Sequence, residues 1–422
     1  MLKLFRPSLS PVRLSGRWRF QLVALLLLAW LPAQAEKKDD TKKEDAKTIY
    51  TFPGSLPPGC SVVSSGNYTC GPLTLAAGEK ITITAPTTIT VNGNFTTGNG
   101  AKINDEGAAA NLTLKVVNGI TDLGAQTILH GNLIGSLKVD TGSGSTVVGN
   151  ITTIAGVITI GNNNVIIGNL KTDSAAINIG NNSFVGDPVT VCNSDPVNGN
   201  ISTTIAGVIN VGTTTMIYGR LTTASGAINV GNSSKVYGKI SSTVAGAITV
   251  GNGVTVYCKV SSAIGAITVG AGSTVTGGLS TNTGAITVGN GATICGSVAT
   301  GDGAITIGAK TTVCESVCSS KTGAITIEAG ADVRGNVGTG VAGAITVGNG
   351  AKVGGNVETF GAGDITIETK AIVEGGTDDG ASIAQDATVG EKKIANGGKC
   401  MGSSIPSFPR VKSREWRQIF MR

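Results

Sequence analysis

The sequence is poor in aromatic, charged and histidine residues, and each shortage excludes a class of protein. Only 4% of its 422 residues are aromatic and 14% are charged, whereas an ordinary 40% are hydrophobic. This balance differs from that of a disordered chain, which combines low hydrophobicity with high charge. Collagen is excluded because glycine does not recur at every third position and only 12 prolines are present. A single histidine, His130, leaves little basis for histidine catalysis or a histidine-rich metal site.

Glycine and small apolar residues are abundant instead. There are 63 glycines, about 15% of the chain, which is roughly twice the usual share. The apolar residues are mainly valine, isoleucine and alanine, and the β-branched ones among them favour strands. The composition therefore predicts a large all-β protein.

An internal repeat dominates the sequence from residue 150 to residue 376. Eleven segments of the type G-A-I-T-V-G follow one another at spacings of 19 or 20 residues, with one spacing of 32. A 13-residue excess around 187–198 accounts for the longer spacing and predicts a loop extruded from one coil. Repeats of this length stack on one another because none of them can bury its apolar face alone. The central isoleucines are Ile158, Ile177, Ile209, Ile228, Ile248, Ile267, Ile286, Ile305, Ile325, Ile345 and Ile365.

The pattern within one repeat predicts a parallel β-solenoid, or β-helix, with coils of 19–20 residues. In the copy around Ile248, alternation places Ile248 and Val250 inward and Thr249 outward, as in a strand. Gly-Asn and Gly-Ala steps recur where the chain must turn a corner. A serine or threonine also recurs two residues after an inward valine, from Thr153 to Thr359, and we expect this column to point inward. We expect the solenoid to be a right-handed single chain.

Five segments follow from these patterns. Five basic residues precede an apolar run at 22–31 and a small-residue cleavage site, which is typical of an export signal. After cleavage no apolar run is long enough to span a membrane. The segment around Trp416, Ile419 and Phe420 predicts a short helical cap. The predicted segments are a signal peptide at 1–35, a charged linker at 36–49, an irregular N-terminal β region or cap at 50–149, regular repeats at 150–376, and a C-terminal cap with a basic tail at 377–422.

The charge distribution argues against nucleic-acid binding. The formal net charge is +6, of which residues 1–35 contribute +5 and residues 391–422 contribute +6, so residues 36–390 carry −5. Nucleic-acid binding requires a basic stripe along the fold, whereas this body is mildly acidic. The basic tail is interpreted as a cap over the last coil or as a docking segment for an envelope partner or an anionic membrane surface.

The outward face of the I-T-V strand is the candidate binding surface. A flat array of threonines between small residues could bind ice or a polysaccharide, could pack against another copy of the chain, or could serve solubility alone. Ice-binding solenoids usually present two threonine columns on one strand, and this repeat offers one. The candidate residues are Thr249, Thr268, Thr287, Thr306, Thr326 and Thr346.

Eight cysteines fit an oxidising, exported setting. Cys60 and Cys70 are close in sequence and could staple an N-terminal cap. Cys295 and Cys314 occupy the same column in consecutive repeats, where a coil spacing of about 4.8 Å falls within the Cα separation that a disulfide allows. The remaining four cysteines have no partner that the sequence identifies, and no metal site is predicted among them.

No catalytic constellation is apparent, and the chain is predicted not to be an enzyme. The acidic residues of the repeats, such as Asp302, Glu315 and Asp364, fall in different columns, so they form no paired carboxylates for glycoside hydrolysis. The many G-x-G steps are repeat corners without a following helix and carry no phosphate-loop implication. No cofactor is predicted.

The repeat units, as in VGNGAKVGGNV at residues 347–357, resemble those of bactofilins, bacterial polymer-forming β-solenoids. The resemblance implies a solenoid that assembles end to end into filaments without nucleotide. Bactofilins are cytoplasmic and short, whereas this chain has an export signal and a longer array. It is also similar to the solenoid segments of bacterial surface adhesins. We therefore expect a secreted or cell-envelope structural protein of bacterial type, with self-association, an envelope component or a polysaccharide as its partner.

Overall fold

The computed structural model describes residues 47–187, 192, 198–378 and 380–391. The predicted signal peptide, most of the charged linker, most of the extruded loop and the predicted helical cap lie outside the described residues. The described part is a parallel β-solenoid of about 16 coils spaced about 19 residues apart, which confirms the predicted fold class. In the described ranges the single helical element is the 3-10 turn Ala109–Asn111.

Each coil contributes one strand to each of three sheets, which we number in the order in which a repeat visits them. Within the described part of the chain, sheets 1, 2 and 3 contain 16, 17 and 16 strands. Sheet 1 consists of Leu73–Leu75, Phe95–Thr97, Ile120–Leu123, Lys138–Thr141, Val157–Ile160, Ile177–Ile179, Ile209–Val211, Ile228–Val230, Ile248–Val250, Ile267–Val269, Ile286–Val288, Ile305–Ile307, Ile325–Ile327, Ile345–Val347, Ile365–Ile367 and Ser382–Ile383. Sheet 2 consists of Ile49–Phe52, Lys80–Ile83, Lys102–Ile103, Ile128–His130, Thr146–Val148, Val165–Ile167, Phe184–Val185, Met216–Ile217, Lys235–Val236, Thr255–Val256, Thr274–Val275, Thr293–Ile294, Thr312–Val313, Asp332–Val333, Lys352–Val353, Ile372–Val373 and Thr388–Val389. Sheet 3 consists of Cys60–Ser64, Asn67–Cys70, Thr87–Asn92, Leu112–Val117, Asn132–Gly135, Ile151–Thr153, Leu170–Thr172, Ile201–Ala206, Leu221–Ser225, Ile240–Ala245, Val260–Ile264, Leu279–Thr283, Val298–Asp302, Val317–Ser319, Val337–Thr339 and Val357–Thr359.

Register between coils follows the repeat, so equivalent residues lie directly above one another. Ile248 pairs with Ile267 and Thr249 with Thr268, and the same alignment recurs in each following coil of sheet 1. The 32-residue repeat keeps this register, because Ile177 pairs with Ile209 across it. The strands that flank the predicted extra residues, Phe184–Val185 and Ile201–Ala206, therefore keep their places in sheets 2 and 3. Stacking also extends upstream of residue 150, through coils that lack the G-A-I-T-V-G motif.

The corner between sheets 1 and 2 requires a left-handed backbone. Gly253 has φ +63° there, and Asn163 and Ser233 occupy the equivalent position in other coils at φ +57° and +59°. Asparagine is among the non-glycine residues that adopt this conformation most readily. A glycine is essential at a second corner, where Gly284 has φ +141° and a Cβ atom would lie 2.5 Å from the carbonyl oxygen of Gly265 in the preceding coil.

The interior is one continuous column of aliphatic side chains. Ile248, Val256 and Val260 are fully buried, and their equivalents form a single cluster from Phe52 to Val373. Serine and threonine side chains at the predicted inward column are also buried, from Thr153 to Thr339. Most of their hydroxyls donate to a glycine carbonyl at the corner where a repeat begins, as in Thr300 to Gly284 at 3.0 Å. The column thus satisfies buried backbone oxygens at the corner between sheets 3 and 1.

An antiparallel hairpin covers the N-terminal edge of sheet 3, in contrast to the parallel coils. Strand Cys60–Ser64 pairs antiparallel with Asn67–Cys70, and a disulfide joins Cys60 to Cys70. The Phe52 ring packs edge-on against Tyr68, with ring centroids 4.9 Å apart. Solenoids need protected ends because an open strand edge can pair with another chain. The predicted Cys60–Cys70 staple therefore belongs to a cap.

Candidate functional site

The six candidate threonines form a straight column on the outer surface of sheet 1. Register pairs join them one after another, so neighbouring hydroxyls are separated by the strand spacing of about 4.8 Å and the column spans roughly 24 Å. Thr249, Thr268 and Thr287 are exposed, and the remaining three are half-buried. We call this surface, which runs from Thr249 to Thr346 and includes the flanking alanines and glycines, the Thr face.

The residues beside the threonines keep this surface flat. Ala266, Ala285 and Ala304 are exposed on one side of the column, and glycines follow the buried valines on the other. Upstream, asparagines replace the threonines, and their side-chain amides bond to one another from coil to coil. Asn229 donates to Asn210 and Asn210 donates to Asn178, each at 2.8 Å. The amide groups therefore satisfy each other, whereas the Thr face offers hydroxyls and methyls to a partner.

An exposed aliphatic ridge lies beside sheet 1; its members Val244 and Ile264 border the Thr face, whereas Ile154 and Ile205 border the coils upstream of it. It consists of Ile154, Ile205, Val244 and Ile264, which lie at the corner where the chain passes from sheet 3 to sheet 1 and are 54–72% exposed. Farther along the same corner, Val341 is 61% exposed. Asp173 lies between Ile154 and Ile205, so Val244 and Ile264 form the uninterrupted apolar part of the ridge. Contiguous exposed apolar residues typically mark a contact surface. Sequence analysis missed the ridge, although an aliphatic residue recurs just before the Gly-Ala or Gly-Val step in these repeats.

A stack of tyrosines follows the strands of sheet 2. Tyr218, Tyr237 and Tyr257 occupy one position in three successive coils, with ring centroids 4.3 and 4.5 Å apart and nearly parallel planes. Phe184 extends the stack at 4.9 Å from Tyr218. Burial raises the pKa of Tyr237, and its neighbours Tyr218 and Tyr257 raise it further. The spacing of 19 and 20 residues between these tyrosines was a visible signal that the sequence analysis did not use.

The described cysteines are either disulfide-bonded or free thiols. Besides the Cys60–Cys70 bridge, a disulfide joins Cys192 to Cys258, which sequence reasoning could not pair because 66 residues separate them. The disulfide between Cys295 and Cys314 that the sequence suggested is not formed, and both residues are free thiols. In-register neighbours on parallel strands hold their Cβ atoms about 4.8 Å apart, beyond the roughly 3.8 Å of a typical disulfide. Cys318 is disulfide-bonded.

Titratable groups are scattered over the described surface. A ring nitrogen of the half-buried His130 lies 3.2 Å from the carbonyl oxygen of Gly107, within the N-terminal coils. Lys80 forms ion pairs with Asp105 and Glu106 at 3.0 and 2.8 Å, and these bonds raise the pKa of Lys80.

Across the described ranges, no three His, Cys, Asp or Glu side chains are grouped so that they could hold a metal ion. None of the helical structure described there has the length and apolar character needed to cross a membrane.

The resemblance to bactofilins and to adhesin solenoids is limited to the repeat motif. What is established is the architecture, a parallel β-solenoid with a flat Thr face and a bordering aliphatic ridge. No protein-family description, no curated protein and no solved structure matches this chain.

Proposed function

We propose that this chain is an exported, non-enzymatic structural protein that associates side by side with copies of itself in a bacterial cell envelope or matrix. The observation that carries the proposal is the Thr face together with the aliphatic ridge. The Thr face runs parallel to the stacking axis, and Val244 and Ile264 adjoin its first coils, so two copies can meet along several coils at once. A flat surface of small residues allows close approach of two sheets, and the ridge supplies apolar area to bury.

Lateral contact is favoured over contact through the N-terminal end. The hairpin at Cys60–Cys70 occupies the N-terminal edge of sheet 3, where a strand from another chain would have to pair. Bactofilin-like end-to-end assembly is therefore the less favoured arrangement at this end. The similarity to bactofilins and adhesin solenoids supports a structural role in general, and the sequence offers no basic stripe for nucleic acid.

Export is supported by the N-terminal sequence and by the disulfides. Residues 1–35 have the basic, apolar and small-residue regions of a signal peptide. Two disulfides with both partners described, Cys60–Cys70 and Cys192–Cys258, are typical of proteins in oxidising compartments. We place the mature protein in the periplasm, on the cell surface or outside the cell.

Assembly of the mature chain tests the proposal. Residues 36–422 are examined by electron microscopy and light scattering, and we expect laterally paired or bundled rods. The double variant Val244→Glu/Ile264→Glu places charges on the ridge and should give single rods. Thr274→Glu, at an outward position on sheet 2, is the matched control and should leave assembly unchanged. Compact single particles of the unaltered chain would contradict the proposal.

A ligand-binding role is the alternative, because the Thr face presents exposed hydroxyls in a regular column. Ice or a polysaccharide would bind there through hydroxyl and methyl groups. Bulky replacements at Thr268, Thr287 and Thr306 should then abolish ice-growth inhibition or glycan retention while the circular dichroism spectrum stays the same. Unchanged binding by the triple variant would exclude the Thr face as the ligand site.

A further inference from the structure

Cys295 and Cys314 are two free thiols in contact on the surface of successive coils. Each follows a short strand of sheet 2, and those strands pair Ile294 with Val313. The Cys314 amide donates to the Ile294 carbonyl at 2.8 Å, which fixes the backbone of one cysteine directly above that of the other. Each thiol is the largest influence on the pKa of the other, and both residues are half-buried. Reagents can therefore reach a preformed dithiol.

The surroundings of the pair distinguish the two sulfurs. The hydrogen bond from the Cys295 thiol lowers the pKa of Cys314 to about 7, with the Arg334 guanidinium acting in the same direction against burial and the carboxylates of Glu315 and Asp332. The same hydrogen bond raises the pKa of Cys295. Arg334 lies at the equivalent position of the next coil, where its amide donates to the Val313 carbonyl at 2.9 Å. Cys314 is thus the sulfur that is favoured as a thiolate, and Cys295 is the thiol that donates a hydrogen bond to it.

We propose that Cys295 and Cys314 form a thiol–disulfide exchange site that accepts small-molecule disulfides, with Cys314 as the attacking sulfur and Cys295 as the resolving one. The Cys314 thiolate attacks one sulfur of the disulfide, whose S–S bond breaks and releases the first thiolate, which takes a proton from water. A mixed disulfide now joins Cys314 to the remaining half. Cys295 loses its proton to solvent and attacks the Cys314 sulfur, which expels the second thiolate. The two cysteines are oxidised to a disulfide, and the small disulfide is reduced to two thiols.

The geometry permits the closing step, although it does not favour it at rest. Adjacent parallel strands hold the two backbones about 4.8 Å apart, which is within the Cα range of 4.4–6.8 Å found for disulfides. The Cβ atoms must approach each other by roughly 1 Å from the in-register separation. Both cysteine amides donate to the preceding coil, at 2.9 Å for Cys295 and 2.8 Å for Cys314, so this approach requires a small local shift of the two coils.

Reaction of the full-length mature chain with 4,4′-dithiodipyridine tests the site. We expect two thiopyridones per chain and a product whose mass is two hydrogens lower than that of the dithiol. Cys295→Ser should release one thiopyridone and retain the adduct on Cys314, whereas Cys314→Ser should react several-fold more slowly at pH 7. The double variant Cys295→Ser/Cys314→Ser is the blank that accounts for every other cysteine.

The pH profile separates the proposed pairing from two independent surface thiols. The rate for the unaltered chain should rise through a midpoint near pH 7. Cys295→Ser retains a hydrogen-bond donor and should keep that midpoint, whereas Cys295→Ala and Arg334→Gln should move it upward. A stable double adduct on the unaltered chain, equal rates for the two single serine variants, or a midpoint indifferent to Cys295→Ala would each overturn the proposal.

Discussion

Two serines in the inward column provide a matched test of what that column contributes. Ser242 and Ser262 occupy the same position in successive coils, and both are 3% exposed. The Ser262 hydroxyl donates to the Gly246 carbonyl oxygen at 2.9 Å. The Ser242 hydroxyl has no hydrogen-bond partner among the residues that the structure describes. The pair therefore separates the hydrogen bond from the burial of a hydroxyl.

Alanine at each position should have opposite consequences. Ser262→Ala removes a hydrogen bond and leaves the Gly246 carbonyl without that donor, which should lower the free energy of unfolding by about 1–2 kcal/mol. Ser242→Ala removes a buried hydroxyl that is unsatisfied, so it should leave the stability unchanged or raise it by up to about 1 kcal/mol. The difference between the two variants is expected to be about 2 kcal/mol.

Urea unfolding followed by circular dichroism measures these differences. Repeat proteins can unfold in parts, so native-state hydrogen exchange of amides in the two coils should accompany the global measurement. Protection should fall around Gly246 in Ser262→Ala and persist in Ser242→Ala. If both variants lost the same stability, the hydroxyl–carbonyl bonds would not be the reason why buried serine and threonine recur in this column, and packing volume alone would explain it.

Three further perturbations test other contacts of the solenoid. Gly284→Ala places a methyl 2.5 Å from the Gly265 carbonyl oxygen and should cost about 3 kcal/mol in urea unfolding, whereas Gly291→Ala, with φ +67° and open space, should cost about 1 kcal/mol. Removing the cap disulfide with Cys60→Ala should cost about 3 kcal/mol and lower the melting temperature. The pKa of Tyr237 is higher in the folded state than in the unfolded state, so the unfolded chain ionises first as the pH rises. The contribution of Tyr237 to the free energy of unfolding is therefore complete below about pH 10 and is lost as the pH rises above that value. Absorbance titration of Tyr237→Phe should therefore lack the tyrosine that ionises last, and an unchanged titration would contradict the stacking argument.

The regular part of the fold was predictable because its residues repeat with the coil. The period of Ile248 and its equivalents predicted the stack, the alternation around Thr249 predicted the outward column, and the inward column from Thr153 onward was predicted by its spacing from the valines. Each of these predictions depends only on a residue and its counterparts one coil away. The Thr face followed for the same reason.

Features that depend on departures from the repeat were less accessible. The coils before residue 150 fill the same interior with larger side chains such as Phe95 and Leu123, so the G-A-I-T-V-G motif does not reveal them. The Cys192–Cys258 pairing depends on where the extruded loop lies, which a period cannot specify. Sequence placed Cys295 and Cys314 in one column, but the separation of side chains in that column decided that they are thiols.

Because the strand register is maintained across the 32-residue repeat, the number of coils can change without altering the packing within the remaining coils. Ile177 pairs with Ile209 in the same way as the equivalent isoleucines of other successive coils, because each coil contacts only the coils before and after it. A lineage could therefore gain or lose whole units by unequal recombination without redesigning a single contact in the core. Each unit would change the reach of the molecule by about 4.8 Å. The length of the solenoid would then be set by the number of repeats that the gene encodes.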